Sequence, residues 1–289
     1  MARKLHIRSP FSTFLKLTRA TNLIILALTQ YFIAIFLIGP KNEWLSIISD
    51  SKLFLVILST SLIAAAGYII NDYYDIKIDI INKPKRVIIG KILKRRIAIL
   101  AHTFFNLLGI AFGLIAFWKI AGINFFAAFL LWLYSNSLKR LPLVGNLVIS
   151  FLTSLSIMAI AVYFDQNYHM VLIFALFAFF LSLIREIIKD MEDVRGDAAF
   201  GCRTLPLVYG VRKTKFFLYS LIIIFLTTLL LLGQELSHSV ILYFLLFIFL
   251  PVAFLAVKLY QSDTSKDFHF LSKWCKFIMI SGVLSMILI

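Results

Sequence analysis

The sequence predicts an all-α fold: a polytopic membrane bundle of nine transmembrane helices, with its charge crowded onto the cytoplasmic face. Three observations carry this. First, 61% of the 289 residues are hydrophobic and 15% charged, against roughly 45–50% and about 25% in soluble domains. That excess has nowhere to go but against lipid. Second, the apolar residues gather into nine segments close to the roughly 20 residues that cross a 30 Å hydrocarbon core. Third, the 29 Lys and Arg are distributed unevenly between the connections of those segments.

In order, the N-terminus carries Arg3, Lys4 and Arg8 before the first span, 20–38, and so resembles a secretory leader. The run ends in Gly39-Pro40-Lys41-Asn42 without a small-residue cleavage site, so it is expected to stay as the first helix. The second span, 53–70, leads into an acidic stretch and a 26-residue connection at 71–96, whose Lys94-Arg95-Arg96 reads as an anchor. The third and fourth spans, 97–118 and 122–138, are parted only by Lys119 to Gly122, and the fifth and sixth, 143–164 and 168–188, by Asp165-Gln166-Asn167. Such tight turns make antiparallel hairpins. His102 and Asn106 share a face of the third span, where an interhelical hydrogen bond is the simpler role than metal binding. His169, His238 and His269 lie near span ends and read as interfacial. Spans at 214–233, 239–258 and 271–289 complete a single domain over 1–289. Cys202 and Cys275 are too far apart in that scheme to meet and read as free thiols.

With the N-terminus placed in the cytoplasm, 26 basic residues fall on that face and 3 on the other. By the positive-inside rule this places the N-terminus in the cytoplasm and the C-terminus on the opposite face of the cell (inner) membrane. The net charge of +15 is thus one-sided. It points to membrane lipids or a phosphate-bearing ligand, not to nucleic acid. Ten of the 14 acidic residues share the cytoplasmic face, and eight of these lie within 71–79 and 186–197. Orientation does not require that clustering, since Asp and Glu contribute little to it.

The two stretches repeat each other. Asn71-Asp72-Tyr73-Tyr74-Asp75-Ile76-Lys77-Ile78-Asp79 and Asp190-Met191-Glu192-Asp193-Val194-Arg195-Gly196-Asp197 both place aspartates at offsets 0, 3 and 7, with counterparts 118 residues apart. On a helix those offsets line up along one face. Each stretch extends the cytoplasmic end of an even-numbered span and is followed by Arg86 or Arg203. The plain alternative, acidic residues balancing basic neighbours on a solvated face, suits any single aspartate better than a repeated triplet. Unpaired carboxylates would repel one another. Two facing clusters of hard oxygen ligands suit two Mg²⁺ ions bridging a diphosphate, with Lys and Arg on the remaining oxygens.

These motifs carry a family resemblance. Asn71-Asp72-x-x-Asp75-x-x-x-Asp79, followed by Asn82-Lys83-Pro84-x-Arg86, resembles the first signature of the UbiA superfamily of intramembrane prenyltransferases. Asp190-x-x-Asp193-x-x-x-Asp197, with Gly201-x-Arg203-Thr204-Leu205-Pro206, resembles the second. Arg19-x-x-Asn22 is similar to the first-helix motif, with Ala20 where the family has proline. Tyr134 and Lys139 are similar to the Tyr–Lys pair of the fourth helix, with four intervening residues in place of three. The resemblance implies a cytoplasmic-facing active site that moves an isoprenyl chain from its diphosphate to an acceptor with Mg²⁺. It implies Asn71 and Asp75, and Asp193 and Asp197, as metal ligands. Asp72, Asp79 and Asp190 would join the catalytic group as further ligands or as acids orienting water, together with Tyr134 and Lys139. Asn22 and Arg19 would line the substrate site.

Ionising an allylic diphosphate requires its leaving charge to be neutralised, a task assigned here to the metal ions with Lys83, Arg86 and Arg203. The carbocation must be kept from water, and the 71–96 connection is long enough to cap the site. The 29 Phe and 11 Tyr supply apolar walls and π-faces, although most aromatics of such a bundle simply pack or face lipid. Within the superfamily, Tyr134-Ser135-Asn136-Ser137-Leu138-Lys139-Arg140, Gly145-Asn146-Leu147 and Arg185-Glu186-Ile187-Ile188-Lys189-Asp190 look most like the branch acting on geranylgeranylglyceryl phosphate. A phosphate-bearing acceptor would account for Arg185, Lys189 and Lys139. The alternative acceptor is aromatic, a quinone or pigment precursor such as hydroxybenzoate. An ion-coupled transporter also binds cations with paired acidic repeats, but at the midplane between broken helices, whereas these carboxylates cluster at one face among Lys and Arg.

Overall fold

A computed structural model of the chain describes residues 10–84, 87–232 and 238–289. Among these residues every long element is helical, and nine helices are long and apolar enough to cross a membrane. A short α1 (Pro10–Leu17) precedes α2 (Ala20–Phe32), which continues as a π-helical turn to Ile38. After a short α3 (Trp44–Ile48), α4 (Ser51–Tyr74) starts at Asp50, whose side chain accepts from the Lys52 amide at 2.9 Å. A brief α5 (Ile76–Asn82) and a turn lead to α6 (Arg95–Ala116). Then come α7 (Trp118–Asn136), α8 (Val144–Phe164), α9 (Tyr168–Ala199) and α10 (Leu205–Leu232). The eighth span is composite: α11 (His238–Phe244), a π-helical turn over Leu245–Phe249, and α12 (Leu250–Gln261). The widened turn sits just ahead of Pro251, which has no amide to donate and crowds the carbonyl four residues back. Last is α13 (Ser265–Leu284), opened by a reciprocal Thr264–Asp267 capping box.

Nine spans are found where nine are expected, with boundaries that move for identifiable reasons. The break between the third and fourth is Phe117 alone, in an extended conformation, while Lys119 to Gly122 are already helical in α7. The Asp165–Asn167 turn is as expected, with Asp165 and Asn167 both left-handed. The sixth span runs eleven residues beyond 188, because charge marks the end of hydrocarbon and not of the helix. At 32 residues α9 is roughly 48 Å long, against about 30 Å of hydrocarbon, so its acidic last turns project beyond the apolar layer. For the same reason α10 begins at Leu205, bending at Gly210, and α13 at Ser265.

The first acidic motif is not one uninterrupted helix, as its spacing suggests. Asp75 leaves helical geometry (φ −89°, ψ 3°), and α5 restarts at Ile76. The second motif lies on unbroken α9.

The two helices that carry the motifs are the innermost. In their apolar windows α9 is 72% buried and α4 61%, whereas α6 is 17% buried. One apolar cluster joins α9 to α10, α12 and α13, and another joins its earlier turns to α2, α4 and α8. Outward faces such as Leu107, Phe125 and Leu230 are exposed, as lipid contact requires. Lipid tails are as apolar as leucine, so close packing and polar contacts hold such helices together. Asn124 of α7 donates to Ser59 Oγ at 2.9 Å and to the Gly109 carbonyl at 3.2 Å. Gln30 of α2 donates to the Ser156 carbonyl at 2.8 Å and accepts from Thr60. His102 and Asn106 also act structurally: His102 Nδ1 meets the Ala66 carbonyl at 3.0 Å, and Asn106 meets His102. Cys202 and Cys275 are free and buried.

Candidate active site

The C-terminal ends of α4 and α9, the start of α2 and the α7–α8 connection meet at one end of the bundle, with α5 across them. Each central aspartate is gripped by a lysine from another element. Lys139, in the α7–α8 connection, places Nζ 2.6 Å from Asp75 Oδ1 and 3.4 Å from Asn71 Oδ1. Its side chain is only 8% exposed, so the longer Tyr–Lys spacing still delivers the lysine into the site. Lys83, just after α5, lies 2.6 Å from Asp193 Oδ2 and 3.8 Å from Glu192.

Local sequence explains both reaches. Gly145 lets the α7–α8 turn tuck against α8: a Cβ there would stand 2.7 Å from Lys139 Cα and 3.2 Å from the Tyr134 ring. Tyr134 thus lies at the site's wall, half-buried in the last turn of α7. Asn82 docks α5 onto α9, donating to the Asp193 carbonyl at 3.0 Å and accepting from the Gly196 amide at 2.8 Å. Gly196 makes this possible, because a side chain there would collide with the Asn82 amide. The segment after the first motif therefore covers the second.

At the inner edge Arg19 bonds Asp72 Oδ1 at 2.8 Å and lies over the Tyr68 ring at 4.7 Å. Its backbone is left-handed, φ 51°. A proline at position 20 would push its predecessor toward extended geometry, so Ala20 is compatible with this turn. Asn22 donates to Tyr68 Oη at 3.2 Å and accepts from Lys276 Nζ at 3.1 Å. Asp190 accepts from Asn146 at 2.8 Å. Arg185 and Lys189 both clasp buried Glu186, at 2.6 and 2.7 Å. Asp79 faces Asp75 and Asp72; burial first, then these two charges, push its carboxyl up to about 6, against the pull of Lys83.

One expected residue is not brought in. Arg203 is exposed, and its backbone amide, not its side chain, ties it to the Arg140 carbonyl at 2.8 Å. Arg86 lies outside the described residues. Conversely, the structure adds Asn82, Asn146, Glu186 and Lys276. Lys276 had a signal in the sequence: it is an ionisable residue inside the ninth span, and such residues mark functional positions. It belongs to α13.

The donors suit Mg²⁺. All are hard oxygens, although among the described residues no group of three or more His, Cys, Asp or Glu is arranged to hold a metal ion by itself. Mg²⁺ characteristically takes one or two protein carboxylates and leaves its other positions to water and phosphate.

The sequence matches the UbiA prenyltransferase family over residues 27–278. It is 38% identical over 183 residues to digeranylgeranylglyceryl phosphate synthase of Methanobrevibacter smithii, spanning 61% of this chain and 64% of that one. It is 33% identical over 237 residues to the enzyme of the same name from Saccharolobus solfataricus, spanning 80% and 82%. Among solved structures, one described as digeranylgeranylglyceryl phosphate synthase in membranes matches with a TM-score of 0.70 and 25% identity, over 96% of this chain and 97% of that one. A UbiA homologue from Archaeoglobus fulgidus, bound to GPP and Mg²⁺, matches in fold with a TM-score of 0.71 at 16% identity, over 95% and 99%.

Proposed function

Since the chain belongs to the UbiA prenyltransferase family, we propose that it transfers a geranylgeranyl chain from its diphosphate to the free hydroxyl of geranylgeranylglyceryl phosphate, a step of ether-lipid synthesis, using two Mg²⁺. The observation that carries this is the pair of aspartate motifs on the two innermost helices, each bridged to a lysine of another element. The names of its relatives support the acceptor, and the A. fulgidus homologue supports Mg²⁺ with a prenyl diphosphate.

Asn71 and Asp75 on one side, and Asp193 and Asp197 on the other, would hold the metal, which neutralises the leaving diphosphate when bound. Lys139 and Lys83 keep the carboxylates in place before the donor arrives, and each has further N–H groups for phosphate oxygens. Asp72 and Asp190 hold the surrounding network through Arg19 and Asn146, and Asp79 adds its charge beside Asp75 and Asp72. The allylic C–O bond breaks and its electron pair departs with pyrophosphate. The acceptor hydroxyl oxygen forms the new C–O bond, and its proton passes to the departing pyrophosphate. The docked α5 keeps water from the cation, and the Tyr134 ring at the wall offers it a π-face. We place the site and the N-terminus in the cytoplasm and the C-terminus across the membrane, following the 26-to-3 charge asymmetry, and read the chain as one domain with an internal repeat.

The test is turnover. Purified protein with Mg²⁺, labelled geranylgeranyl diphosphate and geranylgeranylglyceryl phosphate should release pyrophosphate and form the diether. Asp75→Ala and Asp193→Ala should each lower kcat by at least about 10²–10³ while the protein stays folded in detergent. Absence of turnover with this acceptor and with hydroxybenzoate, or wild-type rates in either variant, would overturn the reading.

A further inference from the structure

A second group of cations gathers around Glu186, which lies one helical turn before Asp190 on α9, about 6 Å along the axis. Arg185 and Lys189 hold the two oxygens of buried Glu186. From the facing α13, Lys276 reaches the Asn22 amide oxygen at 3.1 Å, and the charges of Arg185, Lys189, Arg19 and Glu186 all act on it. Arg19 is committed to Asp72. Among the described residues Lys276 makes no close ion pair, although it stands within an apolar span and Glu186, the one carboxylate whose charge acts on it, is already shared by Arg185 and Lys189. An ammonium there is costly without a counter-charge. Arg185 Nε is buried without a hydrogen-bond partner, and a buried donor left unmade is destabilising until a ligand meets it.

We propose that Arg185, Lys189 and Lys276 form an anion site distinct from the diphosphate site between the aspartate motifs, and that it takes the phosphate monoester of the acceptor. This rests on the phosphate-bearing acceptor proposed above. Charge decides the ligand class. Three cations against Glu186 leave +2, and a phosphate monoester carries about −1.5 to −2 near neutral pH, whereas a carboxylate would leave a buried positive charge uncompensated. Glu186 fixes two of the cations at one edge, so their remaining donors are oriented before the ligand arrives. Lys276 supplies the third from a helix that carries neither motif. Lys83 and Lys139, held by the motif aspartates, remain for the donor. Two phosphate groups are thereby sorted by place, which keeps the acceptor phosphate from occupying the metal site.

The experiment compares full-length Lys276→Met and Lys276→Arg with wild type on geranylgeranylglyceryl phosphate and on the alcohol that lacks the phosphate. Lys276→Met should lower kcat/KM for the phosphorylated acceptor by about 10- to 100-fold, the worth of one charge-assisted hydrogen bond. The rate on the alcohol and the KM for the prenyl diphosphate should change by less than about threefold on the same argument. Lys276→Arg should restore most of the loss. An equal loss on both acceptors would reduce Lys276 to a packing role, and a selective rise in donor KM would assign the cations to the diphosphate. Either result, or no change, overturns the site while the acceptor assignment stands. A wild type inactive on the phosphorylated acceptor but active on hydroxybenzoate overturns the acceptor assignment, and the site with it.

Discussion

Lys139 and Lys83 hold Asp75 and Asp193 at 2.6 Å in partly buried surroundings, where a charge-assisted bond is stronger than on an open surface. These ammonium groups offset part of the repulsion of the aspartate clusters, but Asp79 still feels Asp75 and Asp72, and its carboxyl lies at about 6. A carboxyl raised in the folded state binds its proton more tightly there than in the unfolded chain. Its contribution to stability is therefore best at low pH and is lost as pH rises through about 6. Mg²⁺ relieves the repulsion only once the proton has gone. The rise in thermal midpoint on adding Mg²⁺ should thus be larger at pH 7.5 than at pH 5.5. The Mg²⁺ concentration for half-maximal turnover should climb as pH falls below 6, by up to about tenfold per pH unit for one competing proton. Titrating turnover with MgCl₂ across that range checks it, and a pH-independent requirement would refute it. The aspartates themselves were legible because three identical offsets recurred 118 residues away. Their lysine partners were legible only as nearby cations, since nothing local says that Lys83 crosses to the second motif while Lys139 crosses to the first.

Among the elements, α5 shows how the two motifs differ despite equal spacing. The helix breaks at Asp75, which lets α5 turn across the site and dock Asn82 on Gly196. Spacing alone suggests two equivalent faces, because it describes an ideal helix and contains no term for what packs against it. Gly196 makes the docking testable. In a free helix Ala is favoured over Gly by roughly 0.5–1 kcal/mol, so Gly196→Ala would stabilise α9 if nothing lay against it. With Asn82 pressed there, overpacking should instead cost about 1–3 kcal/mol. The cap should loosen, and more donor should be lost to water as free prenyl alcohol. A lower thermal midpoint with increased alcohol release is expected, and a more stable variant with unchanged release would show that the cap is not seated by this contact. The boundaries of α7, α9 and α13 moved for a simpler reason: a hydropathy ruler measures the apolar layer, and these helices outrun it or begin before it.

For the whole molecule, burial grades the helices from α4 and α9 inside to α6 outside, and the aspartate motifs ride on the inner two. Orientation belongs to this scale. In intact cells an impermeant maleimide should label Glu43→Cys, whereas Lys91→Cys should label only after lysis. Both positions are exposed, the native Cys202 and Cys275 are buried, and the opposite pattern would reverse the topology. Composition, the length of the apolar runs and the one-sided charge were enough to specify a nine-span helical membrane protein with an acidic site at its basic end. Water, lipid and the backbone act on each segment almost independently of the others, so these properties can be read locally. Which helices meet was decided only in the tertiary structure. Lys276 contacts Asn22 from 254 positions away, and the sequence carries no trace of that pairing, because lipid tails are as apolar as a helix face and hydropathy cannot tell one from the other.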